Sequence, residues 1–323
     1  MSFIKNIFSI SLVAILSIGC SQKNSSHRLS HWMENNGKIK ILSTTGHIGD
    51  LASSIGGDRV DAIVLITSEL DPHSYELVKG DGEKLARADL IFYNGLGLEH
   101  GASLSTLLRS SPNGIALGEK IQAAHPEKIL YKEGVLDPHI WMDLSLWEKT
   151  IPHLVDKLVE LDPEGEEYYR ERAEQLIQEM NKTHLYVKEL LIRVPADKRY
   201  LVTSHDAFRY FTKAYLAEQE DSNWAERFAA PEGLAPDGQL NPVDIQNIID
   251  FLRQHHITTL FPESNVSRDS VSKIVSAGNE LGLHLKLCRK PLYGDSLCGL
   301  SYMQMMRCNA EVIFEHLSEV QTK

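Results

Sequence analysis

From Lys38 onward the chain alternates short apolar runs with amphipathic stretches. Lys38-Ile39-Lys40-Ile41-Leu42-Ser43 has the period-two alternation of a strand. A Gly46-His47-Ile48-Gly49 turn leads into a helix through Ile55. Val60 to Ile66 reads as a more buried strand, Lys79 to Ala88 as a helix, and Leu90 to Tyr93 as a third strand ending at Asn94-Gly95. Ala102 to Arg109 is again helical. Strands alternating with helices predict parallel pairing in a βα architecture.

At the middle of the chain the period changes. Tyr168, Ala173, Leu176, Ile177, Met180, His184, Val187 and Leu191 recur at three- and four-residue steps, with Glu, Arg, Gln and Lys on the other face. Asp162-Pro163 supplies a cap and a first turn, and Pro195 a stop, so one long helix runs to about Arg193. After it the strand–helix pattern returns. Tyr200 to Thr203, Ile257 to Phe261 and Leu283 to Leu287 read as strands. Ala207 to Leu216, Asn241 to Gln254, Ser267 to Leu281 and Tyr302 to Leu317 read as helices. Ser222 to Leu240, rich in Gly, Pro, Ala and Asp, reads as a loop near a cleft. The expected fold is α/β: two βα lobes, residues 38–161 and 195–323, each with a central, mostly parallel sheet. One rigid helix, residues 162–194, joins them.

The N-terminus follows another logic. Lys5 precedes a short, mostly apolar run from Ile7 to Ile18, and Gly19-Cys20 follows. That run is too short to cross a bilayer as a mature helix and reads as an export signal. Ser17-Ile18-Gly19-Cys20 resembles a bacterial lipobox, without the usual leucine three places before the cysteine. Residues 1–20 are therefore expected to be a lipoprotein signal ending at a lipidated Cys20, and the polar residues 21–37 a flexible tether. The expected location is periplasmic or cell-surface, anchored through the lipid. A net charge of −11 argues against nucleic acid as a partner. Cys288, Cys298 and Cys308 remain; Cys288–Cys298 is the candidate disulfide, because it would bracket Asp295.

Candidate chemistry lies at the ends of the predicted strands, the edge where open α/β sheets bind ligands. Asp71-Pro72-His73 recurs as Asp137-Pro138-His139, a third histidine sits in Ser204-His205-Asp206, and a carboxylate in Tyr293-Gly294-Asp295. Three imidazoles and one carboxylate make a donor set suited to zinc, iron or manganese rather than magnesium or calcium. Pro72 and Pro138 stiffen their loops, and Asp71 and Asp137 stand two residues back, where each could orient the imidazole through its other ring nitrogen. The remaining histidines, His47 and His100 among them, have no spacing that singles them out. There is no His-Glu-x-x-His motif, and four protein ligands leave no open catalytic position, so a binding role is expected ahead of a secreted metallohydrolase. An adhesin or structural lipoprotein with a stabilising metal is the other alternative.

Five segments carry a family resemblance: Leu70 to Glu76 (LDPHSYE), Asp89 to Gly95 (DLIFYNG), Asp137 to Asp143 (DPHIWMD), Leu201 to Phe208 (LVTSHDAF) and Pro291 to Leu297 (PLYGDSL). They resemble the signature blocks of the cluster A-I metal-binding receptors, the TroA/ZnuA-type solute-binding lipoproteins of ABC importers. LDPHSYELVKGD and NGLGLEHGASL look most like the YtgA-type members. The resemblance implies a monomer that binds one metal between two lobes through His73, His139, His205 and Asp295, and delivers it to a permease with its ATPase. It places Glu263 beside the site and leans toward iron, with zinc and manganese open.

Overall fold

In the computed structural model, residues 29, 32–67, 70–218, 220–236 and 240–318 are described. The signal, Cys20 and most of the tether lie outside the described residues. Residues 37–323 form one compact unit, and residues 1–36 are a separate one. Among the described residues no helix is long and apolar enough to cross a membrane.

The first lobe is built on a parallel sheet. Its strands are β1 (Ile39–Ser43), β2 (Val60–Val64), β3 (Leu90–Tyr93) and β4 (Gly114–Ala116), in the order β2-β1-β3-β4. Helices α1 (Gly46–Gly56), α2 (Asp81–Arg87), α3 (Ala102–Ser110) and α4 (Leu117–Ala124) connect or cover these strands. The hairpin β5 (Tyr131–Lys132) and β6 (Val135–Leu136) leads to Asp137, and α5 (Ile151–Leu161) closes the lobe. β4, α4, the hairpin and α5 are not evident in the sequence pattern.

The connecting helix α6 spans Glu166–Leu191, 26 residues, after a 3-10 turn at Pro163–Gly165. It buries Tyr169, Ala173, Leu176, Met180, Thr183, Val187 and Leu191, one continuous stripe at steps of three and four. Tyr169, not Tyr168, begins the stripe. The cap expected of Asp162 is also corrected: its carboxylate makes no cap bond and instead pairs with Arg59 at 2.6 and 2.7 Å. That bidentate contact, joined by the Tyr169 hydroxyl at 2.6 Å, lowers the Asp162 carboxyl to about 2.

The second lobe has a more fragmentary sheet. β7 (Leu201–Val202) pairs with β8 (Phe228–Ala229), and β9 (Thr259–Leu260) with β10 (Lys286–Leu287), all parallel. A bridge between Thr203 and Phe261 joins the two pairs. The spatial order β8-β7-β9-β10 is first-lobe topology repeated: second, first, third, fourth. The strands are shorter than expected, two residues each. β8 lies inside the segment expected to be a loop, and two residues are too few to read as a strand. The helix expected from Ala207 to Leu216 is one α-turn, Arg209–Phe211, followed by a π-turn, Thr212–Leu216. α7 (Pro242–Gln254), α8 (Asp269–Glu280) and α9 (Tyr302–Leu317) follow the sequence pattern. Asn241 and Ser301 cap α7 and α9 with reciprocal capping boxes. The main core runs from α1 through α6 to α9, so the connecting helix is packed on both sides.

The Cys288–Cys298 bridge does not form: Cys288, Cys298 and Cys308 are free thiols. Cys288 is buried with Sγ 3.5 Å from His316 Nε2 on α9, whereas Cys298 is exposed and faces Ser296 Oγ. The two thiols have different neighbours, so the Asp295 loop is held by other contacts.

Candidate metal centre

Four chain segments end at one buried point. Downstream of β2, the loop beginning at Leu65 turns at Pro72. There the Asp71 carboxylate accepts the His73 N–H at 2.9 Å and the Ser74 N–H and hydroxyl at 3.3 and 2.6 Å. Asp71 thus shapes the backbone and is not bonded to the His73 ring, contrary to the expected orienting contact. The reason is visible in the sequence: Ser74 offers a competing hydroxyl, whereas the equivalent residue after His139 is Ile140.

The second copy of the triplet does orient its ring. Asp137 Oδ1 accepts both the His139 N–H, at 3.0 Å, and His139 Nδ1–H, at 2.8 Å. His139 Nε2 is then a bare lone pair directed at the centre. It stands 3.3 Å from His73 Nε2, two acceptors that need a cation or a proton between them.

His205 follows β7 and the Thr203 bridge. Its N–H donates to Glu263 Oε1 at 2.9 Å, and Glu263 Oε2 stands 2.8 Å from its Nδ1. Asp295 arrives on the loop after β10. Gly294 precedes it because nothing larger fits: a Cβ there would lie 2.5 Å from Glu263 Oε2 and 3.2 Å from the Ala207 Cβ. Asp295 comes within 3.6 Å of His73 Nε2, 3.5 Å of His139 Nε2 and 3.2 Å of His205 Nε2.

One ligand atom from each of the four residues lies within 4.8 Å of the others. With metal–nitrogen bonds of about 2.0–2.1 Å, a regular tetrahedron has ligand–ligand edges of about 3.4 Å. Four separations given above, 3.2–3.6 Å, lie around that value, with His73 and His205 meeting Asp295 Oδ2 and His139 meeting Asp295 Oδ1. His205 Nε2 and both Asp295 oxygens are buried and meet only the groups of this cluster, an arrangement of polar atoms that a bound cation would satisfy.

The charges are arranged for the same purpose. Burial pulls the His205 imidazole down, but Glu263 and Asp295 together outweigh it and hold its pKa well above the ordinary value. Burial likewise pushes the Asp295 carboxyl up, and His205 and His73 outweigh it, keeping its pKa well below the carboxylate range. For His73 burial prevails over the Asp295 contact, and its pKa falls.

Three supporting residues escape sequence reading. Trp141 lies edge-on to His139, 5.3 Å between ring centroids, and its Nε1–H donates to the Gly294 carbonyl at 2.9 Å. It therefore ties the first lobe to the Asp295 loop. His47, wholly buried on α1, stacks on Trp141 at 4.9 Å, and burial lowers its pKa to about 4. Glu99 accepts from Thr44 Oγ1 and from the Asn94 and Gly95 N–H groups, and Asn94 Nδ2–H donates to the Pro138 carbonyl beside His139. Trp141, inside DPHIWMD, and Glu99, inside NGLGLEHGASL, lie in segments that carried a signal in the sequence; His47 does not.

Residues 41–316 match the family described as "Zinc-uptake complex component A periplasmic", ZnuA. The chain is 38% identical over 294 residues to the metal-binding protein YtgA of Chlamydia pneumoniae, covering 90% of this chain and 89% of that protein. It is 30% identical over 288 residues to the manganese ABC transporter substrate-binding lipoprotein PsaA of Streptococcus anginosus, covering 87% of this chain and 90% of that one. Among solved structures, Fe(III)-bound YtgA from Chlamydia trachomatis superposes with a TM-score of 0.83 at 36% identity, covering 88% of this chain and all of that one.

Proposed function

Because the chain belongs to the ZnuA family of metal-uptake components, we propose that it is the extracytoplasmic receptor of an ABC importer, with His73, His139, His205 and Asp295 as the ligands of its cargo. The cargo is a first-row transition-metal ion, taken from solvent, held between the lobes and released to a membrane permease driven by its ATPase. The observation that carries this reading is the convergence of the four donors in a buried site, with one ligand atom from each residue within 4.8 Å of the others and four separations of 3.2–3.6 Å. Relatives of this kind are named as binding proteins, not enzymes.

Iron is the favoured cargo, with zinc and manganese as competitors. The YtgA structure cited above holds Fe(III), and the third ligand here is His205, a nitrogen donor. Asp137 and Glu263 orient the His139 and His205 rings, while Asp71 sets the backbone of the His73 turn. Residues 38–161 and 195–323 act as the two lobes and residues 162–194 as the connecting spine. A spine packed on both sides favours a small tilt or loop shift over wide hinge opening. A lipid on Cys20 would hold the receptor, a monomer, near its permease.

Two measurements test this. Metal analysis of protein isolated anaerobically without chelators should return about one transition-metal ion per chain, most of it iron. His139→Ala should lose on the order of a hundredfold or more in affinity by calorimetry, because a buried ligand is removed. Affinity equal to wild type in that variant would reject the cage.

A further inference from the structure

The cage has one edge toward solvent. Side-chain exposure is 2% at His73 and nil at His139, His205 and Asp295. Beside His73 stands His100, an exposed histidine whose ring centroid is 5.8 Å away. The three cage imidazoles are 5.2, 5.9 and 5.4 Å from one another. His100 is therefore spaced from His73 as the cage rings are from each other, but on the solvent side.

The His100 ring is also set up to ligate. Its Nδ1 stands 3.2 Å from the Gly97 carbonyl, which fixes the proton on Nδ1 and leaves the Nε2 lone pair available. Both histidines sit on backbone that is tied down. Glu99, the residue before His100, is pinned inside the lobe by three hydrogen bonds. Glu76, three residues after His73, accepts the Ala102 and Ser103 N–H groups at 2.7 and 2.9 Å. Gly101 packs so closely on the Tyr75 carbonyl that a Cβ would come within 2.0 Å of its oxygen. The two loops are tied to each other by these contacts, so bringing a cation between the rings orders little that is not already ordered.

We propose that His100 is the outer ligand of the cation's entry path: with His73 it takes a partly hydrated transition-metal ion from solvent, and His73 passes that ion inward to His139, His205 and Asp295. A buried cage faces a large barrier if a cation must shed its water in one event. Two exposed-to-buried imidazoles allow stepwise exchange, with one nitrogen replacing one water at a time. The donor type matches: a neutral imidazole suits iron, zinc and manganese and has little attraction for magnesium or calcium, which would otherwise crowd the mouth. The proposal rests on the cage assignment given above.

The test is stopped-flow uptake of Co2+ by the metal-stripped protein, followed by cobalt absorption, with release driven by excess chelator. A ligand on the path acts in both directions. His100→Ala should slow uptake and release together by about tenfold and leave the dissociation constant within about threefold. His100→Glu, which restores a metal-binding side chain, should recover most of the rate. Unchanged rates in His100→Ala would overturn the proposal. So would faster release with weakened affinity, which would make His100 a ligand of the resting cage. Wild-type protein that takes up no stoichiometric Co2+ would overturn the cage itself, and this inference with it.

Discussion

Asp71 and Asp137 occupy the same place in the same tripeptide and do different things. Both accept the backbone N–H of their histidine, but only Asp137 also bonds to the imidazole. Their substitution effects should separate accordingly. Asp137→Asn, which cannot accept the Nδ1 proton as strongly, should weaken metal affinity about 10–100-fold, and Asp71→Asn by well under tenfold, in a competition titration against a chelator. Equal losses would show that both act through the turn and neither through the ring. His205 provides the pH dependence. Its pKa is held well above the ordinary value in the metal-free site, so it carries a proton at neutral pH. A metal ion must displace that proton, so affinity should rise with pH through neutrality, by about tenfold per unit for one proton released. Calorimetry in buffers of different ionisation enthalpy reads the proton directly, and zero release at pH 7 would contradict the assignment. Glu263→Gln removes one of the two carboxylates facing the ring and should reduce the proton release.

At the scale of elements, the site depends on loops that short strands deliver. β7, β9 and β10 are two residues each, yet the loops they feed bring His205, Glu263 and Asp295 to the centre. What the ladder lacks, side chains supply: Thr203 Oγ1–H to the His205 carbonyl, Ser204 Oγ accepting the Glu263 N–H, and the Trp141 indole on Gly294. Gly294 is the tightest point of this packing. Gly294→Ala should drive Glu263 and Asp295 apart and weaken metal binding by about tenfold or more. It should leave the helical circular dichroism unchanged, since the methyl meets only the site loops. If affinity is retained, the Asp295 loop yields more easily than this packing implies. In contrast, α6 needs nothing from the site. Its stripe and its contact with the main core are continuous along its length.

At the scale of the molecule, that independence separates a receptor from a protein that needs metal to fold. The core joins α1, α6 and α9 without any ligand residue, so the metal-free protein should be folded. Saturating metal at about a thousandfold over its dissociation constant should add about 4 kcal/mol of stability by mass action. The melting temperature should rise on loading and fall on chelation, with far-ultraviolet dichroism the same in both states. Unfolding on chelation alone would favour the structural-metal alternative. The sequence by itself determined the local matters. Apolar periodicity set the first-lobe strands β1–β3, α6 and α7–α9, because burial of one face follows directly from residue order. The repeated Asp-Pro-His and the strand-end placement of His205 and Asp295 marked the four donors. Only the tertiary structure decided what depends on neighbours remote in the chain: that the four donors come within 4.8 Å of one another, that Asp71 and Asp137 diverge, that Cys288 and Cys298 stay apart, and that His47, Trp141, Glu99 and His100 surround the site. Those outcomes are set by how two lobes pack on one helix, and a pattern of adjacent residues carries no record of that packing.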